Sequence, residues 1–142
     1  MREMTMESLI PVVQAAISPA ILMSGIGLLI QSMSVRLGRI IDRTRKLLEL
    51  KKAGERPVDD QIKIIWRRAM LLRASITLAV LGALSAATNI ILVFLAAVFQ
   101  VNLYAPVVLL FIIGMGSVIV ALVIYMIEVN QSLRAIGLEL KG

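Results

Sequence analysis

The 142-residue chain is strongly apolar: 59% of its residues are hydrophobic, 17% are charged, the mean hydropathy is +0.92 and the net charge is +6. A soluble protein carries about a quarter charged residues, and a chain of this size has too little interior to bury such an excess. The composition therefore excludes a soluble domain. Histidine and cysteine are absent, which excludes imidazole metal sites, disulfides and Ser-His or Cys-His nucleophile pairs. We expect no cofactor and no metal.

Two long stretches without charged residues define the membrane spans. Residues 8–35 are uncharged over 28 positions and residues 74–127 over 54 positions. Because a membrane-spanning helix needs about 20 residues, the second stretch must contain two helices. The polar cluster between Gln100 and Pro106 predicts the turn between them. We predict transmembrane helices over residues 19–35, 74–99 and 104–127.

Prolines interrupt the apolar stretch near the N-terminus. Ser18 and Pro19 are typical of a helix cap and a first helical residue, so the first span is predicted to begin at Pro19. Residues 19–35 number only 17, which is short for a bilayer. We therefore predict that residues 1–18 form an interfacial segment whose short helix completes the crossing. A signal peptide is the alternative, but this segment lacks a positively charged beginning.

Most of the positive charge lies between the first two spans. Residues 36–73, named here the basic hairpin, hold 12 of the 15 basic residues against 5 acidic ones, a net charge of +7. The positive-inside rule predicts that this segment is cytoplasmic. The N-terminus is then expected outside, and residues 128–142 form a cytoplasmic tail. The predicted fold is an all-α integral membrane protein of three transmembrane helices.

The basic hairpin has the periodicity of two amphipathic helices. Apolar residues recur every three or four positions on both sides of a break at Gly54 and Pro57, and Asp59 and Asp60 are typical of a helix start. We predict that the two apolar stripes pack on each other as an antiparallel αα-hairpin. The stripes comprise Leu37, Ile40, Ile41, Thr44, Leu47 and Leu48, then Ile62, Ile65, Trp66, Ala69, Leu72 and Ile76.

The charged surface of the basic hairpin allows a second interpretation. The hairpin could lie on the anionic inner leaflet, where each Lys or Arg contributes about 1 kcal/mol, and this is compatible with self-packing. Nucleic acid is not expected as a partner because Trp66 is the only aromatic residue among the basic ones. The predicted surface for lipid or a partner comprises Arg39, Arg43, Arg45, Lys46, Lys63, Arg67 and Arg68.

Three segments make the chain resemble a known family. They are ISPAILMSGIGLL from Ile17 to Leu29, RLGRIIDR from Arg36 to Arg43, and the cluster from Arg67 to Arg73. With these motifs the chain, from about residue 17 to 138, resembles the bacterial membrane-protein family called domain of unknown function 2721. The resemblance implies a multi-pass protein of a prokaryotic inner (plasma) membrane with three spans. It implies no activity and no functional residue.

The predicted spans contain no charged residue, which disfavours a proton pump built on a buried carboxylate. Ser85, Thr88 and Asn89 are possible polar contacts within the membrane. Asn89 lies near the middle of its span, where an interhelical hydrogen bond of about 1 kcal/mol is expected; a position lining a pore or facing a ligand is the alternative. Small residues are predicted to allow close helix packing. They are Ala16, Ala20, Ser24, Gly25 and Gly27, then Ala79, Gly82, Ala83, Ala86 and Ala87, then Gly114, Ser117 and Ala121.

Three charged residues end the spans on one side of the membrane. They are Arg36, Arg73 and Glu128. Arg73 falls on the apolar stripe of its helix and is expected to point inward. We therefore predict that Glu128 pairs with Arg73 or Arg36 and fixes the angle of the basic hairpin. The alternative is that all three side chains extend into the lipid headgroups.

This organisation favours a non-enzymatic role. The sequence predicts a small membrane scaffold or accessory subunit that packs laterally, as a homo-oligomer or within a larger membrane complex, and presents the basic hairpin to a cytoplasmic partner or anionic lipid. The alternative is a homo-oligomeric pore or small transporter, with Ser85, Thr88 and Asn89 along its path and the hairpin as its gate. An enzyme is disfavoured because the acidic residues have no histidine, cysteine or metal-ligand spacing beside them.

Overall fold

The computed structural model describes the backbone of residues 6–54 and 59–139 and the side chains of residues 9–54 and 61–131. These residues form three α-helices: α1 (Met6–Lys52), α2 (Asp59–Phe99) and α3 (Tyr104–Glu139). The described chain contains no strand. Each helix is long and apolar enough to cross a membrane. The prediction of an all-α membrane protein with three such helices is confirmed.

The connection between α2 and α3 lies where the polar cluster predicts it. α2 ends at Phe99, and Gln100 adopts a φ of 55°. The Gln100 side chain donates a hydrogen bond to the Ala97 carbonyl at 2.9 Å. Asn102 then caps α3, because its Oδ1 accepts the Tyr104 N–H at 3.1 Å. Hydrogen bonds from nearby side chains thus pair with backbone N–H and C=O groups that have no partner within the helix at its ends.

The break between α1 and α2 is also at its predicted place. α1 ends at Lys52, and Gly54 has a φ of 76°, a conformation that glycine adopts without steric cost. The described part of α2 begins at Asp59. The predicted helix-breaking residue Pro57 lies outside the described residues.

The predicted start of the first span at Ser18 and Pro19 is wrong as a helix boundary. α1 begins at Met6 and continues through both Pro11 and Pro19, so residues 8–18 do not form a separate short helix. A proline inside a helix removes one backbone donor, which neighbouring helices and local adjustments accommodate in membrane proteins. Where the bilayer begins along α1 stays a prediction.

All three helices extend past the predicted span borders without interruption. α1 and α2 pass through Val35–Arg36 and Arg73–Ala74, and α3 continues beyond residue 127 to Glu139. The basic hairpin is therefore a direct continuation of the first two spans. From Arg36 to Lys52, α1 has a length of about 25 Å at 1.5 Å per residue.

The helices pack as two compact units, each containing a segment of every helix. The first unit comprises Met1–Leu29 and Ala79–Val118, and the second comprises Ile30–Leu78 and Ile119–Gly142. Along α2 the buried positions recur at alternating intervals of three and four, which is typical of helices packed side by side. They are Ile65, Leu72, Ser75, Ala79, Gly82, Ala86 and Asn89.

In the first unit, two glycines allow α2 and α3 to approach closely. A Cβ atom on Gly82 would collide with Val118 Cγ2 and lie 3.2 Å from the Gly114 carbonyl oxygen. A Cβ atom on Gly114 would lie 2.7 Å from Ser85 Cβ, a separation that real Cβ atoms do not adopt. Only glycine fits at these two positions without displacing the neighbouring helix.

The prediction that Gly25 and Gly27 are packing positions is wrong for contacts within this chain. Both are exposed, and no atom would lie within 4 Å of a Cβ on either. The buried residue between them is Ile26, and each glycine is rotated by about 100° from it around the helix. Two other predicted small residues of α1, Ala20 and Ser24, are exposed as well.

In the second unit, a buried hydroxyl connects the three helices. The Ser75 side chain is fully buried and donates a hydrogen bond to the Ala121 carbonyl at 2.6 Å. Its Oγ also lies 3.4 Å from Met33 Sδ. Leu72 and Met33 are among the largest fully buried side chains here. This layer joins α1, α2 and α3 with one hydrogen bond and close apolar contact.

We predict that Gly114→Ala lowers the free energy of unfolding by about 1–3 kcal/mol, because the added methyl group overpacks the contact with Ser85. The matched control is Gly116→Ala, two residues away on α3, where nothing lies within 4 Å. That change should be neutral or stabilising by up to about 1 kcal/mol, since alanine is the better helix former. Thermal unfolding in detergent, followed by circular dichroism, measures both; equal effects would contradict the proposed packing.

Candidate functional site

Glu128 of α3 is a buried carboxylate held by two arginines. Its side chain is only 1% exposed. Oε2 accepts a hydrogen bond from Arg36 Nη1 at 3.0 Å, and Oε1 accepts bonds from Arg68 Nη2 at 2.9 Å and Arg68 Nε at 3.2 Å. We name Arg36, Arg68 and Glu128 the charge triad. Each helix supplies one member, and all three belong to the second unit.

In the charge triad the carboxylate is buried, whereas both arginines are partly exposed. The arginine side chains remain 35% and 22% exposed for Arg36 and Arg68, so their stems cover apolar surface while the guanidinium groups reach the carboxylate. The Arg36 guanidinium also lies 5.6 Å from the centre of the Tyr125 ring, within the range of a cation–π contact. Tyr125 precedes Glu128 by three residues and therefore lies on the same side of α3.

A buried carboxylate would be strongly destabilising without such partners. The rigid fork of arginine matches carboxylate geometry better than a lysine does, and both oxygens of Glu128 are engaged. The charge triad is thus arranged to hold three helices together. Among the described residues, no group of three or more Asp, Glu, His or Cys side chains could hold a metal ion.

The structure differs from the predicted charge cluster in one residue, because Arg68 rather than Arg73 contacts Glu128. Arg36 contacts Glu128, which is one of the two predicted pairings. The alternative pairing of Glu128 with Arg73 is wrong. The prediction that Arg73 points inward is also wrong, because Arg73 is exposed. Arg68 takes its place. Arg68 lies four residues before the buried Leu72 and so shares its face, whereas Arg73 is rotated by about 100° from Leu72.

The polar residues predicted within the second span do not share one surface. Ser85 and Thr88 donate hydrogen bonds to the carbonyls of Leu81 and Leu84 in their own helix, both at 2.9 Å. Thr88 is exposed, whereas Asn89 is 3% exposed. Ser85 and Asn89 border the same cavity, whereas Thr88 does not line it, so the three side chains line no common path within this chain.

The sequence predicts an interhelical hydrogen bond for the Asn89 side chain, and its oxygen does not make one with any described residue. Its Oδ1 is buried and has no hydrogen-bond partner in the described part of the chain. The residue borders a cavity of about 10 Å³ in the first unit, a volume suited to about one water molecule. The other lining residues are mainly apolar: Leu22, Gly82, Ser85, Ala86, Leu110, Phe111, Gly114, Met115 and Val118.

The basic hairpin presents both charged and apolar side chains at its surface. Except for Arg68, the predicted lipid or partner residues are exposed: Arg39, Arg43, Arg45, Lys46, Lys63 and Arg67. Ile65 and Leu72 of the predicted stripe are buried, but Ile41, Leu48 and Trp66 are exposed, Trp66 at 63%. Packing of the hairpin therefore leaves part of its apolar stripe uncovered. The buried face is centred on Ile65, and the next residue, Trp66, turns away from it.

Comparison with known proteins assigns most of the chain to one family. The family described as "Protein of unknown function (DUF2721)" matches residues 16–138, a range that includes the charge triad. Searches of curated proteins and of solved structures find no match.

We predict that Glu128→Gln lowers the free energy of unfolding by about 1–3 kcal/mol, because it weakens the charge-assisted hydrogen bonds to two arginines that stay partly exposed to solvent. The control is Glu49→Gln, which neutralises an exposed carboxylate of α1 and should change stability by less than about 0.5 kcal/mol. Equilibrium unfolding in mixed micelles measures the difference. A loss in Glu128→Gln no larger than that in the control would refute the structural role of the charge triad.

We predict that Asn89→Leu stabilises the chain by about 1–3 kcal/mol, since it replaces a buried oxygen without a partner by an apolar group of similar size. Thr88→Val is the control, because the exposed Thr88 bonds only to its own helix, and little change is expected. The same unfolding assay applies. Destabilisation by Asn89→Leu would show that the amide has a partner beyond this chain.

Proposed function

The chain belongs to the DUF2721 family, and we propose that it is a small non-enzymatic membrane scaffold or accessory subunit. In this proposal the N-terminus lies outside, the basic hairpin and the end of α3 lie in the cytoplasm, and the membrane is the inner membrane of a prokaryote. The spans pack laterally with other helices, and the basic hairpin binds an acidic surface of a cytoplasmic protein. The observation that carries the proposal is the exposed Trp66 among exposed basic side chains.

The exposed composition of the basic hairpin is that of a protein interface. Trp66 is flanked on α2 by the exposed residues Lys63, Arg67 and Met70. Tryptophan, arginine and methionine are enriched at interfaces, and exposed tryptophans are frequent anchors of binding energy. The surrounding positive charge favours a partner of negative potential. An apolar stripe used only for self-packing would not leave its largest side chain exposed.

The continuity of the helices also supports a protein partner. Because α1 and α2 pass from the spans into the basic hairpin without a break, the hairpin continues the direction of the spans locally. Lys52, at the end of α1, is 17 residues beyond Val35, about 25 Å along the helix. This length exceeds the headgroup layer, so the distal surface is suited to a protein in the cytoplasm.

Lateral packing is supported by exposed small residues of α1. Ala20, Ser24 and Gly27 lie about 100–160° around the helix from the buried Ile26, all three are exposed, and nothing would lie within 4 Å of a Cβ on Gly27. Small residues at such spacing let another helix approach closely in a bilayer. This face suits a homo-oligomer or a larger membrane complex.

Two observations weigh against the other functions. The buried carboxylate of Glu128 is engaged at both oxygens by arginines, as expected for a structural contact rather than an acid or base. A pore along Ser85, Thr88 and Asn89 would need these side chains to share a path, whereas Thr88 is exposed and Asn89 is buried.

The test is quantitative mass spectrometry of proteins that co-purify with the full-length chain in mild detergent. We expect Trp66→Ala to lose a defined set of soluble proteins by at least about tenfold, the effect of removing one central anchor. The control Phe99→Ala removes an exposed aromatic residue from the opposite end of α2 and should retain the set. Identical sets in both variants would contradict the docking role.

A second measurement tests the alternative function as a pore or transporter. Liposomes containing only the purified chain should show no ion flux above that of empty liposomes. Flux that Asn89→Leu alters would instead support the pore or transporter.

A further inference from the structure

An open groove lies on α2 where the basic hairpin meets the second span. It is a shallow region, open to the surroundings, on one face of α2, and it is lined by Met70, Arg73, Ala74, Thr77 and Leu78. The groove is close to the membrane border, because Arg73 is the last charged residue before 54 uncharged positions.

Arg73 supplies an available positive charge in this groove. Its side chain is exposed and makes no hydrogen bond or ion pair within the part of the chain whose side chains are described. Glu128, which the sequence offers as its partner, is engaged by Arg36 and Arg68 instead. From Gln61 to Phe99, α2 contains no acidic residue. The groove therefore carries a positive charge that no carboxylate between Gln61 and Phe99 of its own helix offsets.

The remaining walls of the groove are mostly apolar. Met70, Ala74 and Leu78 carry no hydrogen-bonding side-chain group. The Thr77 hydroxyl donates its hydrogen to the Arg73 carbonyl at 2.9 Å, so Arg73 is left as the side-chain donor of the groove. One cationic donor among apolar walls suits a ligand with an anionic head and a hydrocarbon chain. A phospholipid has both an anionic phosphate and hydrocarbon chains.

We propose that this groove binds one anionic phospholipid, with its phosphate on the Arg73 guanidinium and an acyl chain along Ala74 and Leu78. Arginine presents paired donors that match two phosphate oxygens. Leu78 lies five residues into the uncharged stretch, about 7.5 Å along the helix from Arg73, which is the direction that an acyl chain takes into the bilayer. An anionic lipid is preferred to a zwitterionic one because the latter brings its own cation into a positive site.

This site goes beyond the proposed scaffold function and does not depend on it. It requires neither a cytoplasmic partner nor a particular orientation of the chain in the membrane, since Arg73 lies at a span border in either orientation. Lipid binding by the purified protein and loss of co-purifying proteins are separate measurements. Each can therefore fail while the other succeeds.

The experiment is native mass spectrometry of the purified full-length chain titrated with dioleoyl phosphatidylglycerol or dioleoyl phosphatidylcholine, which share acyl chains and differ in head group. We expect tighter binding of the first lipid to the wild type. Arg73→Gln should weaken that binding about fivefold, the effect of one basic residue near an anionic lipid. Arg73→Lys, which keeps the charge, should restore part of it.

Lys52→Gln is the control, since Lys52 is an exposed basic residue at the end of α1, outside the groove and about 25 Å along the helix from Val35; its effect should stay below about twofold because that distance exceeds the screening length of about 10 Å. Circular dichroism checks that each variant is folded, and Thr77→Phe, which fills the groove without changing charge, should also weaken binding. Equal affinity for the two lipids, or equal losses in Lys52→Gln and Arg73→Gln, would overturn the proposal.

Two further arms identify the ligand class. Inorganic phosphate at millimolar concentration should not displace the bound lipid if the acyl chain contributes; displacement would show a simple anion site and overturn the lipid assignment. An acidic peptide that competes fully with phosphatidylglycerol would assign the groove to a protein partner instead.

Discussion

A carboxylate buried among apolar helices is stable only if cations reach it, and Glu128 receives them from two different helices. Arg36 of α1 and Arg68 of α2 bind opposite oxygens of the same side chain on α3. Because each contact needs a particular rotation and axial position of its helix, the charge triad fixes how the three segments of the second unit are aligned. Ser75, which bonds to Ala121 beside Met33, is consistent with the same alignment. The ion pairs thus determine the rotation and axial position of the three helix segments, which nondirectional apolar contacts alone do not determine.

The charge triad also determines which positive charges remain available. Arg36 and Arg68 are paired with Glu128, whereas Arg73 stays exposed. The surface that remains combines arginine and lysine with Trp66, and the groove at Arg73 combines a single cation with apolar walls. Both proposed binding surfaces therefore follow from one structural contact, in which Glu128 is already paired with Arg36 and Arg68.

Local chemistry explains why some features were predictable from the sequence and others were not. The helix ends at Lys52, Phe99 and Tyr104 depend on nearby turn residues such as Gly54 and Asn102, so the sequence predicts them. The continuity of α1 through Pro19 depends on tertiary surroundings that tolerate a proline, which no local pattern reveals. The choice of Arg68 over Arg73 depends on where the centre of the buried face lies. The predicted apolar stripe did not locate the centre of the buried face and so did not distinguish Arg68 from Arg73, which lie about 140° apart around the helix. The spacing of Arg68 to Leu72 and Ser75 was a usable signal.

The central claim is that Glu128 is held by Arg68 and Arg36 rather than by Arg73, and a pair of double-mutant cycles tests it most directly. One cycle combines Glu128→Gln with Arg68→Gln, and the other combines Glu128→Gln with Arg73→Gln, with the free energy of unfolding as the readout. We predict a coupling energy of at least about 1 kcal/mol for Arg68 and one within about 0.5 kcal/mol of zero for Arg73. Strong coupling of Glu128 to Arg73, or none to Arg68, would contradict the account.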